Sequence, residues 1–159
     1  NPLTLLPGNI PIQECLARLL ANGQAARLCY IDLDAFKPFN DIYGYGKGDE
    51  VLLGLAQILK NLCDPRCDFV GHIGGDDFML VLRSADWRER LQLLNERLLQ
   101  LSVGVVCLPA QGHGIHDAGQ LAEMASHAKH EAKKISGFSM VCESLRVVQD
   151  GPDASLALR

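Results

Sequence analysis

Two short stretches of this sequence carry carboxylates where a binding site could form. Asp32 and Asp34 end an apolar run that is typical of a buried strand. Asp76 and Asp77 follow two glycines between two apolar arms, a pattern that predicts a β-hairpin over 69–82. Buried carboxylates lose solvation unless they meet a cation or hydrogen-bond donors. If the strand end meets the hairpin tip, these acids form a hard-oxygen site suited to magnesium.

Each stretch also has a purely structural explanation. Aspartate is frequent at strand ends, where it caps turns, and Gly-Gly-Asp-Asp is a good hairpin turn in its own right. Either stretch alone favours that explanation. The two together favour a shared site.

The segment 36–49 follows the acidic strand directly and contains aromatic, amide, carboxylate and glycine residues. It is predicted to be a long loop that ends at Asp49, which caps the next helix. Loops of this length without secondary structure are usually functional, and Asn40 and Asp49 could read the edge of a nucleobase. The alternative is a plain glycine-containing connection.

The rest of the pattern predicts one domain of strands and helices. Apolar spacing predicts helices near 12–20, 51–62, 87–101 and 118–135, and strands at 27–34, 103–108 and 138–148 besides the hairpin. This order favours one sheet with helices mainly on one face. Ile135 is expected to point inward from the last helix. We expect a single domain over 1–150 and an unstructured tail over 151–159.

Composition narrows the classes of function. The chain has 159 residues, 48% hydrophobic and 21% charged, as in soluble globular domains, and no apolar run approaches the ~20 residues of a membrane span. A net charge of -4 argues against nucleic-acid binding, which relies on a basic surface. Three of six cysteines lie in apolar runs, which predicts reduced thiols and a cytoplasmic protein. Because residue 1 is Asn, we expect a domain taken from a larger multidomain protein.

Two motifs resemble those of the GGDEF family, the diguanylate cyclases of bacterial signalling. Segment 32–49 fits D-x-D-x-F-K-x-x-N-D-x-x-G-(H)-x-x-G-D at all hallmark positions but one, and segment 74–78 reads Gly-Gly-Asp-Asp-Phe. The opening Leu-Thr-Leu-Leu-Pro at 3–7 resembles the family's D-x-L-T-G-L-x-N segment. The resemblance covers about residues 1–143. It implies an α/β (α+β) fold, a palm-like βαββαβ sheet that contains antiparallel strands, flanked by helices as in nucleotide cyclases.

The resemblance also implies a reaction and a set of site residues. Two GTP molecules on facing domains would condense to cyclic di-GMP, which needs a homodimer and Mg²⁺, with Mn²⁺ as the alternative. The implied metal-binding residues are Asp32, Asp76 and the Leu33 carbonyl. The implied nucleotide-binding residues are Phe36, Asn40, Asp49, Gly74, Gly75 and Lys134. The implied catalytic residues are Asp77 and Lys37. Family relatives often carry fused sensory or phosphodiesterase domains.

Departures from the family pattern leave the activity open. Asp77 replaces the fourth residue of the turn, usually Glu, and Phe138 replaces an Arg that would supply a cation for the triphosphate. Tyr45 replaces a His. Pro65 replaces the Arg of the family's R-x-x-D motif, so product inhibition there is predicted to be absent. His72, where the family often has Arg, is predicted to be a partly exposed strand residue.

Three interpretations remain. The first is a magnesium-dependent cyclase with full or reduced turnover. The second is an impaired module that binds GTP or a partner domain and regulates a fused signalling protein. The third is a dimerisation scaffold. The acids and Asn40 favour nucleotide binding over the scaffold, whereas Asp77 and Phe138 favour the regulatory module over a fast enzyme.

Overall fold

The computed structural model of the chain describes residues 1–97, 101–110, 114–135 and 139–145. Its helices are α1 (Asn9–Asn22), α2 (Phe36–Tyr43), α3 (Tyr45–Leu62), α4 (Trp87–Arg97) and α5 (Ala118–Ala132). Its strands are β1 (Ala26–Leu33), β2 (Phe69–Gly74), β3 (Asp77–Leu82), β4 (Leu101–Leu108) and β5 (Ser139–Ser144). The predicted tail over 151–159 and Phe138 lie outside the described residues.

The five strands form one sheet in the order β2-β3-β1-β4-β5. Only β4 and β5 run parallel, and the other neighbours are antiparallel. The strand β1 therefore lies at the centre, and β2 and β3 form the predicted hairpin beside it. This arrangement confirms the predicted mixed α/β fold with an antiparallel-containing sheet.

Helices cover both faces of the sheet, so the prediction of mainly one covered face was wrong. One face of β1, which includes Ile31, packs with α3 and α4 against a core that contains Leu55 and Leu91. The other face, which includes Leu28, packs against α1 and α5. The physical reason is that β1, β3 and β4 are apolar on both sides, and strands of that kind need cover on both faces.

The segment 36–49 is helical, so the predicted loop was wrong. Pro38 lies in the first turn of α2, where its missing N–H would have no helical partner in any case. Gly44 separates α2 from α3 with a φ of +84°, a value that glycine adopts easily. Asp49 consequently lies inside α3 and does not cap it, because Gly44 occupies that position.

Three further observations concern the end of α5, the cysteines and the length of the helices. The helix α5 ends at Ala132, and Ile135 is 55% exposed rather than buried, because it follows the helix. All six cysteines are free thiols, as predicted. Among the described residues, no helix is long and apolar enough to cross a membrane.

Candidate functional site

The predicted acids meet at one end of the central strands. Asp32, near the end of β1, is the cross-strand partner of Asp77, the first residue of β3. Asp76 occupies the hairpin turn next to them. Burial and the charge of Asp32 raise the pKa of the Asp76 carboxyl above its ordinary value. The strand end and the hairpin tip therefore meet, as the sequence suggested. Their meeting gathers three carboxylates at a site that is partly shielded from solvent.

Two lysines neutralise part of this charge, Lys129 of α5 and Lys133, the residue that follows α5. Neither was among the predicted site residues. The Lys129 Nζ atom lies 3.2 Å from Asp32 Oδ2 and 2.9 Å from Asp77 Oδ1. The Lys133 Nζ atom lies 2.6 Å from Asp32 Oδ1. The sequence signal that could have identified this pair is the spacing of four residues, which places two side chains on one face of a helix.

A close approach between α5 and the sheet brings Lys129 to the acids. A methyl group on Gly104 of β4 would overlap the backbone of Ala125 and Lys129. Glycine at this position lets the helix lie directly on the strand. Beyond Gly104, the Lys129 ammonium lies 4.3 Å from the centre of the Tyr30 ring, within the range of a cation–π contact. Burial, together with the charge of Asp77 and a hydrogen bond to it, raises the pKa of Tyr30 to about 12.

The hairpin turn is held by a buried histidine. Gly75 has a φ of +56°, which favours glycine at the tip. His72 Nε2 lies 2.9 Å from the Gly75 carbonyl oxygen, and its Nδ1 lies 2.9 Å from Thr4 Oγ1. Because a carbonyl can only accept, Nε2 carries the proton, and in the neutral form of the ring Nδ1 then accepts from the Thr4 hydroxyl. The ring also stacks on Phe78, with centroids 4.1 Å apart.

The prediction of a partly exposed His72 was therefore wrong, since the residue is 1% exposed. The N-terminal segment and the turn enclose the ring from both sides. The backbone N–H of His72 donates to the Pro7 carbonyl as well.

The predicted base-reading residues lie on the helix pair that follows β1. The Asn40 side chain lies directly against Gly48, where a methyl group would overlap it. Asn40 Oδ1 is buried and has no hydrogen-bond partner among the described residues. Asp49 follows Gly48 in α3 and is exposed. Asp34 accepts a 2.7 Å hydrogen bond from Ser102 Oγ, which anchors the start of this connection to β4.

The remaining predicted residues differ in their surroundings. Phe36 packs partly buried against the core, and Lys37 is exposed in the first turn of α2. Leu33 ends β1 with its side chain in the core, and Gly74 ends β2. Lys134 pairs with Glu131 at 2.6 Å on the surface. The roles assigned to these residues stay predictions. Lys129 and Lys133 contact the acids, whereas Lys134 pairs with Glu131.

The segment that resembles the product-inhibition motif is used structurally. Asp68 accepts from Arg90 Nη1 at 3.0 Å and from the backbone N–H groups of Asp64 and Arg83. Arg66, one residue after Pro65, is exposed and pairs with Asp64 at 2.8 Å. Asp68 is thus already satisfied by groups of its own chain.

Known proteins match this chain in sequence. The family profile described as "Diguanylate cyclase, GGDEF domain" matches residues 1–136. A diguanylate cyclase of Vibrio cholerae is 30% identical over 126 residues, which are 70% of this chain and 38% of that protein. Diguanylate cyclase DgcM of Escherichia coli K12 is 48% identical over 63 residues, which are 40% of this chain and 15% of DgcM. The chain therefore spans much less than two thirds of these relatives.

Solved structures match the fold. The diguanylate cyclase SiaD of Pseudomonas aeruginosa, solved with its activator SiaC, gives a TM-score of 0.79 at 26% identity, over 89% of this chain and 60% of SiaD. The GGDEF domain of YfiN (TpbB) from the same organism gives 0.77 at 24% identity, over 87% of this chain and 97% of that one. The second comparison, at its lower identity, shows the fold alone.

Proposed function

Because this chain belongs to the GGDEF domain family, we propose that it binds GTP with a magnesium ion and condenses two GTP molecules to cyclic di-GMP as half of a homodimer. The observation that supports this most is the convergence of Asp32, Asp76 and Asp77 beside the Lys133 ammonium. Such a cluster offers carboxylates for a metal ion and a cation for phosphate. We propose the same activity for the longer protein of which this chain would be one domain.

The donor set fits a magnesium ion that shares its coordination with a nucleotide. Among the described residues, no three His, Cys, Asp or Glu side chains are gathered to hold a metal by themselves. Magnesium, however, takes one or two carboxylates together with phosphate oxygens and water. Asp32 and Asp76 would supply the carboxylates, and the Leu33 carbonyl is a third candidate. When bound, the ion would polarise the α-phosphate, lower the pKa of the attacking hydroxyl and neutralise developing charge. Manganese is the alternative ion.

Guanine is the base that suits the pocket. Its N1–H and N2–H₂ groups are donors, and Asp49 and Asn40 Oδ1 can accept from them. The buried Asn40 Oδ1 atom, unpartnered in the described part of the chain, gains a partner when such a donor arrives. Adenine lacks donors at these two positions, so it would leave the acceptors unpaired.

The phosphates would lie near the lysines and the glycine turn. Lys133 is 38% exposed at its side chain, so its ammonium can turn from Asp32 to a phosphate. Lys37 and Lys134 are exposed cations, which we propose as further phosphate contacts. Gly74 and Gly75 carry no side chain that would keep a nucleotide from the backbone.

One domain supplies half of the active site. In the proposed reaction, each 3′-hydroxyl attacks the α-phosphate of the GTP on the facing domain, and pyrophosphate leaves. A homodimer is therefore required for turnover. We also propose a cytoplasmic location and fused sensory or phosphodiesterase domains; one relative, MucR of Pseudomonas aeruginosa, is described as a bifunctional diguanylate cyclase and cyclic di-GMP phosphodiesterase.

A second candidate is a regulatory module that binds GTP or a partner domain without making product. The observation that favours it is the contact between Lys129 and Asp77. Asp77 is one methylene shorter than the usual Glu, and in this structure its carboxylate is held by the buried lysine. If Asp77 takes part in catalysis, its carboxylate must do so while it is hydrogen-bonded to Lys129, or must first leave that lysine.

The deciding experiment is incubation of the purified domain with GTP and magnesium, followed by mass spectrometry for cyclic di-GMP. The proposed activity predicts product from the wild type and none from Asp32→Asn. A dimer that binds GTP and makes no product would reject the cyclase and favour the regulatory module. A dimer that does not bind GTP would favour the scaffold.

A further inference from the structure

Lys129 is the most deeply buried charged residue of α5 and has no assigned role in the reaction described above. It is 5% exposed, whereas lysines are almost never buried unless they are paired. Its position is fixed by the close contact between α5 and Gly104. This contact places the Lys129 backbone directly on β4.

The contacts of Lys129 make it a fixed cation. Its Nζ atom donates to Asp77 Oδ1 at 2.9 Å and to Asp32 Oδ2 at 3.2 Å, and it faces the Tyr30 ring. A lysine with two carboxylate oxygens within hydrogen-bond distance is held as the ammonium ion.

The charges of the site balance in two different ways. In this structure, Lys129 and Lys133 contact both oxygens of Asp32, and the three carboxylates with the two ammonium groups sum to one negative charge. If the partly exposed Lys133 turns to a phosphate, the remaining groups carry two negative charges. That is the complement of one divalent cation.

We propose that Lys129 is a built-in counter-ion that suppresses the binding of free divalent cations, so that the domain takes up a metal ion only together with the phosphates of a nucleotide. The phosphates draw Lys133 away from Asp32 and at the same time supply the oxygens that the protein lacks. Lys129 stays in place throughout.

Manganese binding to the nucleotide-free domain tests this directly, with free Mn²⁺ followed by electron paramagnetic resonance. Removing a fixed positive charge beside the acids in Lys129→Met should raise Mn²⁺ affinity by on the order of tenfold or more. Lys60→Met, which removes an exposed lysine of α3, should leave the affinity unchanged. An affinity of Lys129→Met equal to that of the wild type would overturn the proposal.

Thermal unfolding gives a second readout. Lys129→Met removes the lysine partner of Asp77 and leaves Asp32 with Lys133 alone, so its Tm should fall in chelator and recover with magnesium, whereas the wild-type Tm should change little. A Tm that magnesium does not restore would count against the proposal. If Lys129→Met does not fold, Asp77→Asn and the double variant Lys129→Met/Asp77→Asn decide. The double variant should bind Mn²⁺ about tenfold more tightly than Asp77→Asn. Equal Mn²⁺ affinities of these two variants would overturn the proposal.

This inference rests on the metal site of the proposed function, but its test uses neither GTP nor product. A lysine effect in a domain that makes no cyclic di-GMP would reject the proposed activity and leave the inference standing. If Lys129→Met leaves the Mn²⁺ affinity unchanged in a domain that makes cyclic di-GMP, this inference is rejected and the proposed activity stands.

Discussion

Asp32 and Asp77 lie directly opposite each other on β1 and β3, and one ammonium group, that of Lys129, hydrogen-bonds to both. Like charges in opposite positions of a sheet repel and destabilise it. The buried lysine offsets that repulsion from the helix above. The acidic end of the sheet is therefore arranged around a cation of the protein itself, with Asp76 and Lys133 on its more accessible side.

Substitution of Asn40 tests the guanine pocket. Asn40→Ala removes the buried acceptor against Gly48, so GTP binding should weaken by about 1–3 kcal/mol, and ATP binding should change much less. Calorimetry with both nucleotides in magnesium measures the difference. Asn61→Ala, an exposed residue of α3, is the matched control and should leave both affinities unchanged. Equal losses for GTP and ATP from Asn40→Ala would show that the base binds elsewhere.

Substitution of His72 tests the support of the hairpin turn. His72→Phe leaves the Thr4 hydroxyl and the Gly75 carbonyl without their partner. Because Thr4 is buried and Gly75 is exposed, the loss at Thr4 should dominate and lower the free energy of unfolding by about 1–3 kcal/mol. Thr4→Val should also destabilise, and the double variant should lose less than the sum because the two residues share one hydrogen bond. Urea denaturation measures all three, with His116→Phe on the exposed loop as control.

Nitrogen chemical shifts of the His72 ring provide an independent check. They should show the proton on Nε2 and a neutral Nδ1 that accepts from Thr4. A proton on Nδ1 would contradict the hydrogen-bond assignment.

Much of the fold and of the acidic site could be predicted from local pattern. The apolar strand that ends in Asp32 and the Gly-Gly-Asp-Asp turn each carry a short-range signal, and their meeting follows from a hairpin beside a central strand. The segment 36–49 could not be predicted correctly, because its glycines and Pro38 suggest a loop. Only the position of Pro38 in a first helical turn makes it compatible with α2.

The burial of Lys129 and of His72 could not be predicted, for a different reason. Lys129 lies between His127 and His130 and is followed by Lys133 and Lys134. Such a run of polar residues is typical of a solvated helix face, because charged residues are mostly exposed. The burial of Lys129 depends on two long-range facts, the contact of α5 with Gly104 and the pairing of Asp32 with Asp77. Likewise, the burial of His72 depends on an N-terminal segment that lies far away in sequence.

Substitution of Asp76 separates stability from metal binding. Burial and the charge of Asp32 raise the pKa of Asp76 above its ordinary 3.8. Its ionised form is therefore relatively disfavoured in the folded state, which costs stability at pH 7 and costs none below pH 3.8. In chelator, Asp76→Asn should raise the Tm at pH 7. This gain in Tm should disappear as the pH is lowered from 7 to below 3.8.

The same variant should lose the gain in Tm that magnesium with GTP gives the wild type. Asp86→Asn is the contrasting control, since hydrogen bonds from Ser84 and Arg90 lower the pKa of that carboxyl. It should not raise the Tm at pH 7. A lower Tm for Asp76→Asn in chelator would contradict the electrostatic account of the turn.

Two substitutions test whether the departures from the family pattern limit turnover. Asp77→Glu extends the carboxylate by about 1.5 Å, the length of one carbon–carbon bond. Phe138→Arg, at a position outside the described residues, supplies a cation for the triphosphate. Each should raise cyclic di-GMP production about ten- to a hundredfold, equivalent to about 1–3 kcal/mol of transition-state stabilisation. The double variant should be assayed with the singles, because groups around one phosphate chain couple.

The dimer fraction must be measured in the same samples, since half-sites cannot react alone. A double variant that binds GTP and dimerises, yet makes no cyclic di-GMP, would reject the interpretation as an underpowered cyclase. The regulatory module would then be the better account.

The most direct test of the central claim is calorimetry of GTP binding to the wild type in magnesium and in chelator, repeated with Asp32→Asn. If Asp32 and Asp76 bind the nucleotide through a metal ion, chelator should weaken wild-type binding about tenfold or more, equivalent to 1.4 kcal/mol or more. Asp32→Asn should bind weakly in both conditions, and Glu123→Gln, an exposed acid of α5, should behave as the wild type. Equal wild-type affinity in magnesium and in chelator would contradict the metal-dependent site.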